Sequence, residues 1–134
     1  MNRAVLDASA VVELLRWSPA GQRVAGTIAD ADLHVPHLCP VEVASALRSL
    51  VARGEVLEGR ARAALEDLSD LPAIRHPVEP LLPRIWELRD TITAYDATYV
   101  ALAEALGATL ITGDRKLAGA VGAALDVVLV TGVG

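Results

Sequence analysis

The sequence predicts an α/β fold, a three-layer α/β/α arrangement around a central parallel sheet of about five short strands. Short apolar runs alternate along the chain with stretches whose apolar residues recur at helical spacing. Strands that alternate with helices in this way form parallel sheets with helices on both faces. The chain has 134 residues, the size of one domain, so residues 1–134 are expected to form a single domain.

The N-terminal half opens with a strand, a turn and a helix. The apolar run 4–6 ends at Asp7, and apolar residues at 8, 11, 12 and 15 then follow with helical spacing. A second helix is predicted over 21–29, and a short strand over 33–35 is closed by Pro36. Pro40 suits the first turn of a helix that stops at Gly54. Residues 58–68 have the spacing of a further amphipathic helix.

The C-terminal half continues the alternation. A brief strand is predicted over 73–75, with His76 in the loop that follows, and a helix over 81–89. The next helix covers 93–106 and ends at Gly107, a residue typical of helix C-termini. A strand over 109–112, a helix from Arg115 and a last strand over 127–130 complete the prediction.

The composition excludes several classes of protein. Apolar residues make up 53% of the chain and charged ones 22%, which excludes intrinsic disorder. No apolar run approaches the ~18 residues of a membrane span, and no secretory signal pattern is present, so we expect a cytoplasmic protein without a membrane partner. The single cysteine, Cys39, permits no internal disulfide and no cysteine-based metal site. A net charge of −5 excludes nucleic-acid binding through bulk positive charge.

Four acids lie where a parallel sheet binds its ligands, beyond the carboxyl ends of the strands. Asp7 and Asp114 follow predicted strands, while Glu42 and Asp96 lie near the starts of predicted helices. Each has a structural explanation by itself, as an N-cap or as an acid favoured by the helix dipole. Gathered at one edge, however, four anions repel one another, so the group must take up protons or bind a cation.

Oxygen ligands without an organised His or Cys group favour Mg²⁺ or Mn²⁺ over zinc. Four acids suffice for one ion, or for two ions that share ligands. His34 and His37 are a second candidate pair of metal ligands, but no third ligand lies near them in the sequence.

The ordered set of acidic motifs resembles the PIN domain and, more narrowly, the VapC toxins of bacterial toxin–antitoxin pairs. The resemblance extends over essentially the whole chain. It rests on four segments, which are Asp7-Ala8-Ser9, Glu42-Val43 with Ala46-Leu47, Tyr95-Asp96-Ala97, and Leu110-Ile111-Thr112-Gly113-Asp114 with Leu117.

This resemblance implies a Mg²⁺-dependent endoribonuclease, with Mn²⁺ able to substitute, that is the toxin of a type II toxin–antitoxin system. It also implies a small VapB-like antitoxin that covers the site, an RNA substrate and a toxin homodimer. A further acid that some relatives carry after the fourth has no counterpart here, because Asp114 is followed by Arg115, Lys116 and Leu117. The family's catalytic acidic positions match Asp7, Glu42, Asp96 and Asp114, and its supporting polar positions match Ser9 and Thr112.

The expected mechanism is hydrolysis of RNA by a metal-activated water. Asp7, Asp96 and Asp114 hold the metal, while Glu42 orients a water molecule or takes its proton. Positive side chains near the cleft would guide the RNA, and the candidates are Arg48, Arg53 and Arg115.

Two other functions are compatible with the same fold class. The first is a non-catalytic PIN-like module that binds a protein or RNA partner, which divalent-ion-dependent RNA cleavage would exclude. The second is a phosphorylatable receiver-like domain, which needs an acid pair at the first strand and a lysine after the last. Asp7 stands alone and the only lysine is Lys116, so the sequence disfavours that alternative.

Overall fold

A computed structural model of the chain describes residues 2–121 and 125–131. Strands and helices alternate as the sequence predicts. In chain order they are β1 (Arg3–Leu6), α1 (Ala8–Arg16), α2 (Pro19–Thr27), β2 (Asp32–Pro36), α3 (Cys39–Ala52), α4 (Glu58–Asp70), β3 (Ala73–His76), a 3₁₀ turn (Glu79–Leu81), α5 (Leu82–Glu87), α6 (Ala94–Leu106), β4 (Thr109–Thr112), α7 (Arg115–Ala120) and β5 (Val127–Leu129).

The five strands form one parallel sheet in the order β3-β2-β1-β4-β5. β1 is the central strand, with Val5 opposite His34 of β2 on one side and Leu110 of β4 on the other. Helices cover both faces of the sheet, which is why β1 is buried from Ala4 to Leu6. The predicted three-layer α/β/α fold with a parallel sheet of five short strands is confirmed.

Small and medium apolar side chains fill the core, in a chain that has no phenylalanine. α1 packs against α2 and α3, while α6 contacts β1, β2 and β4. Burying one leucine or isoleucine side chain contributes about 1.5–3 kcal/mol, so these layers supply much of the stability. The large side chains buried most completely include Leu6, Val11, Val43, Leu47, Tyr99, Leu110, Ile111 and Leu117.

Among the described residues, no helix has the length and apolar character that crossing a membrane requires.

Two helices have boundaries that differ from the positions that apolar spacing predicts. α2 begins at Pro19, before the predicted start at 21, because the Ser18 hydroxyl accepts a hydrogen bond from the Gly21 N–H (3.0 Å). Proline suits the first position of a helix. The helix predicted over 81–89 is the shorter α5, preceded by the 3₁₀ turn.

His76 lies in a strand and not in the predicted loop. It is the last residue of β3, pairs with Pro36 of β2 and accepts a hydrogen bond from the His37 N–H (2.8 Å). Its Nε2 atom is 2.8 Å from Nδ1 of the buried His34. The ring partner of His34 is therefore His76 across the sheet, and the pair considered with His37 is not formed.

Gly21 lies where α2 approaches the end of α1 most closely. A Cβ atom built at Gly21 would lie 1.8 Å from the backbone oxygen of Glu13. Gly21→Ala is therefore expected to lower the free energy of unfolding by about 2 kcal/mol or more, measured by urea denaturation, because backbone atoms must move apart.

Gly26, on the same helix, is the matched control. Nothing lies within 4 Å of a Cβ built there, so Gly26→Ala should raise the free energy of unfolding by about 0.5–1 kcal/mol. Equal effects of the two substitutions would contradict the close α1–α2 contact.

Candidate functional site

The carboxyl edge of the sheet gathers acidic side chains from two strand ends and two helix starts. Asp7 follows β1 and Asp114 lies just beyond β4, while Glu42 and Asp96 lie in the first turns of α3 and α6. The charge of Asp7 acts on both Glu42 and Asp96, and the charge of Asp114 acts on both Asp7 and Asp96. The structure thus brings the four predicted acids into one electrostatically coupled group.

Asp7 is the most buried member of this group, with 5% of its surface exposed. Its carboxylate accepts hydrogen bonds from the Ser9 hydroxyl (2.6 Å), the Ala10 N–H (2.9 Å) and the Thr112 hydroxyl. Burial raises the pKa of Asp7, the three donors oppose that rise, and the charge of Asp114 adds to it. The effect of burial on the Asp7 carboxyl is larger than that of the three hydrogen bonds, so its pKa is raised.

The hydroxyls of Ser9 and Thr112 connect β1 to the loop after β4. Thr112 donates to Asp7 and accepts a hydrogen bond from the Asp114 N–H (2.9 Å). Ser9 also donates to Asp7 and accepts from the Gly113 N–H (2.9 Å). Both side chains therefore contact the site as the predicted supporting positions require, while their part in activity stays a prediction.

Glu42 and Asp96 are half-buried, and the charge of Asp96 acts on Glu42. Burial is the largest cause that raises the pKa of Glu42, and the charges of Asp96 and Asp7 raise it further, while the phenol of Tyr99 lowers it. Burial also raises the pKa of Asp96, followed by the charges of Asp114 and Asp7, against the Thr93 hydroxyl. Both carboxyls therefore hold their protons more tightly than an exposed acid would.

Two of the acids are also helix caps. Asp7 is the N-cap of α1, and Asp114 is the N-cap of α7, where it accepts from the N–H groups of Lys116 (2.9 Å) and Leu117 (3.3 Å). In Asp114 one oxygen, Oδ1, makes both of these bonds. The structural explanation for these acids is thus correct, and it leaves the other oxygen of Asp114 available to a ligand.

The donor chemistry of this group suits a hard divalent cation. Carboxylate oxygens are the ligands that Mg²⁺ and Mn²⁺ favour. Burial is the main cause of the three raised pKa values, and a cation would relieve the repulsion that adds to it. Among residues 2–121 and 125–131, no three His, Cys, Asp or Glu side chains stand in an arrangement that could hold a metal ion. The assignment of Asp7, Asp96 and Asp114 as metal ligands stays a prediction.

The three arginines predicted to guide RNA occupy different surroundings. Arg53 lines a groove of about 560 Å³ that also includes Ser9 and Gly113, and its guanidinium pairs with Glu55 (3.1 Å). Arg48 is exposed on α3, and Arg115 is exposed at the start of α7. Arg53 thus lies in a groove that also includes Ser9 and Gly113 of the site.

Sequence reasoning missed three residues near the acids. Arg89 and Lys116 line a groove of about 420 Å³ together with Asp96. Tyr99, three residues after Asp96 on α6, faces Glu42. The spacing of three residues from Asp96 is a signal that could have identified Tyr99, since residues three apart share a helix face.

Comparison with known proteins places this site in context. Residues 4–122 match the PIN domain. Ribonuclease VapC1 of Mycobacterium tuberculosis is 43% identical over 132 residues, which cover 97% of this chain and 99% of the relative. Ribonuclease VapC9 of the same organism is 44% identical over 113 residues, or 84% and 87% of the two chains. A crystal structure of VapBC2 from Rickettsia felis, bound to a DNA fragment from their promoter, matches with a TM-score of 0.69 at 13% identity. The match covers 94% of this chain and 97% of that chain. This last match concerns the fold alone.

Replacement of Asp7 tests the electrostatic description of the site. The folded pKa of Asp7 is raised, so the folded state holds a proton more tightly than the unfolded state, and the carboxylate costs stability as pH rises through that window. Asparagine keeps the capping oxygen without the charge. Asp7→Asn should therefore gain stability relative to the wild type as pH rises from about 4 to 7, measured by urea denaturation at each pH.

Asp7→Ala is the control, because it removes both the charge and the cap. Its free energy of unfolding at pH 7 should lie about 1 kcal/mol below that of Asp7→Asn. A stability difference between wild type and Asp7→Asn that is independent of pH would show that the pKa of Asp7 is not raised.

Proposed function

The chain belongs to the PIN-domain family and, within it, to the VapC group, and from this membership we propose that it is a metal-dependent endoribonuclease, the toxin of a type II toxin–antitoxin system. One observation carries the proposal. The four acids that the resemblance assigns to the site converge at one sheet edge, in a chain 43% identical to a named ribonuclease along nearly its whole length.

In this proposal Asp7, Asp96 and Asp114 are the residues that would hold Mg²⁺, or Mn²⁺ as a substitute. A bound divalent ion would neutralise charge on the scissile phosphate and make water a better nucleophile at neutral pH. The donor set supports this choice, since it offers carboxylate oxygens and no thiolate or organised histidine.

The protein's own groups perform the remaining work. Ser9 and Thr112 hold the Asp7 carboxylate in one orientation through donated hydrogen bonds. Glu42 orients the attacking water and accepts its proton at a carboxylate oxygen, a role that suits a half-buried acid with a raised pKa. Attack by water needs no 2′-hydroxyl nucleophile, so the products carry 5′-phosphate and 3′-hydroxyl ends.

RNA reaches the site along local positive charge, because the chain as a whole carries −5. Arg53 lines the groove beside Ser9 and Gly113, and Arg48 and Arg115 are the other predicted phosphate contacts. Arg89 and Lys116, which flank Asp96, join this set.

The proposed partners are a VapB-like antitoxin and a second copy of the toxin. The groove of about 560 Å³ between α1, α2 and α3 offers apolar side chains such as Val12 and Leu50 to an antitoxin segment that would cover Ser9 and Gly113. A toxin that acts on RNA under the control of such a partner works in the cytoplasm.

A cleavage assay tests the proposal. Purified protein should cut RNA in Mg²⁺ or Mn²⁺ and lose the activity in EDTA. Asp7→Asn and Asp96→Asn should each lower the cleavage rate by about 100-fold or more, because each removes a charge from the metal site. Sequencing of the cut ends should find 5′-phosphates.

The matched control is Asp67→Asn, which removes an exposed acid of α4 and should leave the rate unchanged. Cleavage that persists in EDTA, or that survives Asp7→Asn, would overturn the assignment. RNA or protein binding without cleavage would instead favour the non-catalytic PIN-like module, an alternative consistent with the capping roles of Asp7 and Asp114.

A further inference from the structure

Tyr99 carries a hydroxyl that the packing of the core does not require. The side chain lies on α6 and is 1% exposed. Its hydroxyl oxygen is buried and has no hydrogen bond of ordinary length and angle to any residue that the structure describes. A buried hydroxyl without a partner costs about 1–3 kcal/mol, whereas phenylalanine would fill nearly the same volume without that cost.

The surroundings of this hydroxyl come from the first turn of α3. The phenol lies close enough to the carboxyl of Glu42 and the thiol of Cys39 to affect the pKa of each. Cys39 and Glu42 are three residues apart on α3 and share a helix face. Asp96 and Tyr99 are likewise three residues apart on α6. The two helices therefore interact at the site through two contacts. Asp96 is charge-coupled to Glu42, and the buried Tyr99 interacts with Glu42 and Cys39.

Glu42 is the better acceptor of the two neighbours. Burial raises the pKa of the Cys39 thiol to about 12, so this sulfur stays protonated and accepts hydrogen bonds weakly. A carboxylate accepts strongly, and the phenol lowers the pKa of Glu42, as a donor to the charged form does.

We propose that Tyr99 is a positioning residue, whose hydroxyl donates a hydrogen bond to the Glu42 carboxylate and holds it towards the attacking water. The inference rests on the proposed ribonuclease activity and adds a residue to it. Tyr99 does not touch the substrate. It acts through Glu42, whose half-buried side chain can adopt several rotamers.

The test compares steady-state RNA cleavage by four proteins, the wild type, Tyr99→Phe, Glu42→Ala and the double variant, and by one separate control. Tyr99→Phe should lower kcat about tenfold and leave KM within about twofold, because a hydrogen bond to a charged group is lost and RNA contacts are not. In the Glu42→Ala background the same substitution should change the rate by less than about twofold. Tyr95→Phe, on the exposed neighbour, is the control and should match the wild type.

Urea denaturation of the same four proteins, and of Cys39→Ala with and without Tyr99→Phe, gives a second coupling that does not depend on cleavage. Tyr99→Phe should shift the unfolding midpoint differently in the presence and absence of Glu42, and the Cys39→Ala background should behave like the wild type. An equal loss of rate in both Glu42 backgrounds, unchanged cleavage by Tyr99→Phe, or coupling to Cys39→Ala would overturn the role. Absence of cleavage by wild type and Tyr95→Phe alike would reject the proposed function, while the unfolding coupling still decides the Tyr99–Glu42 contact.

Discussion

The parallel pairing of β1 with β4 is the contact on which the site depends. It places the end of β1 beside the end of β4, so the Asp7 N–H donates to Ile111 and the Asp7 carboxylate meets the Thr112 hydroxyl. Asp114 follows two residues later and reaches the same space. A sheet of any other order or direction at this point would separate these groups, because only strand ends that share an edge bring their following loops together.

The arrangement sets stability against function. An acid as buried as Asp7 loses the hydration that favours its charge, and the three donors around it restore only part of that loss, as its raised pKa shows. Glu42 and Asp96 add repulsion from two helix starts. The fold tolerates this group because two of the same carboxylates, those of Asp7 and Asp114, cap α1 and α7 by accepting hydrogen bonds from backbone N–H groups. A bound cation would offset the repulsion within this cluster.

Much of the fold could be predicted because apolar periodicity is local, and so could the four acids, since each follows a strand or begins a helix. The errors have local causes as well. Pro77, the residue after His76, favoured a loop there, yet pairing with β2 extends the strand through His76. Ser18 starts α2 early because a capping bond decides that boundary, and spacing does not report it. Tyr99 has the spacing of an ordinary core residue, and that spacing does not indicate what its hydroxyl contacts.

By itself the sequence determined the order and type of the elements and the identity of the acids. Hydrophobic periodicity, turn residues and charge are local signals, which can be read from neighbouring positions. Only the tertiary structure decided which groups touch. The pairing of His34 with His76, the bridge from Asp7 to Thr112 and the approach of Tyr99 to Glu42 each join residues more than forty positions apart. Such contacts arise from the packing of helices on the sheet and from strand order, and these follow from burial summed over the whole chain.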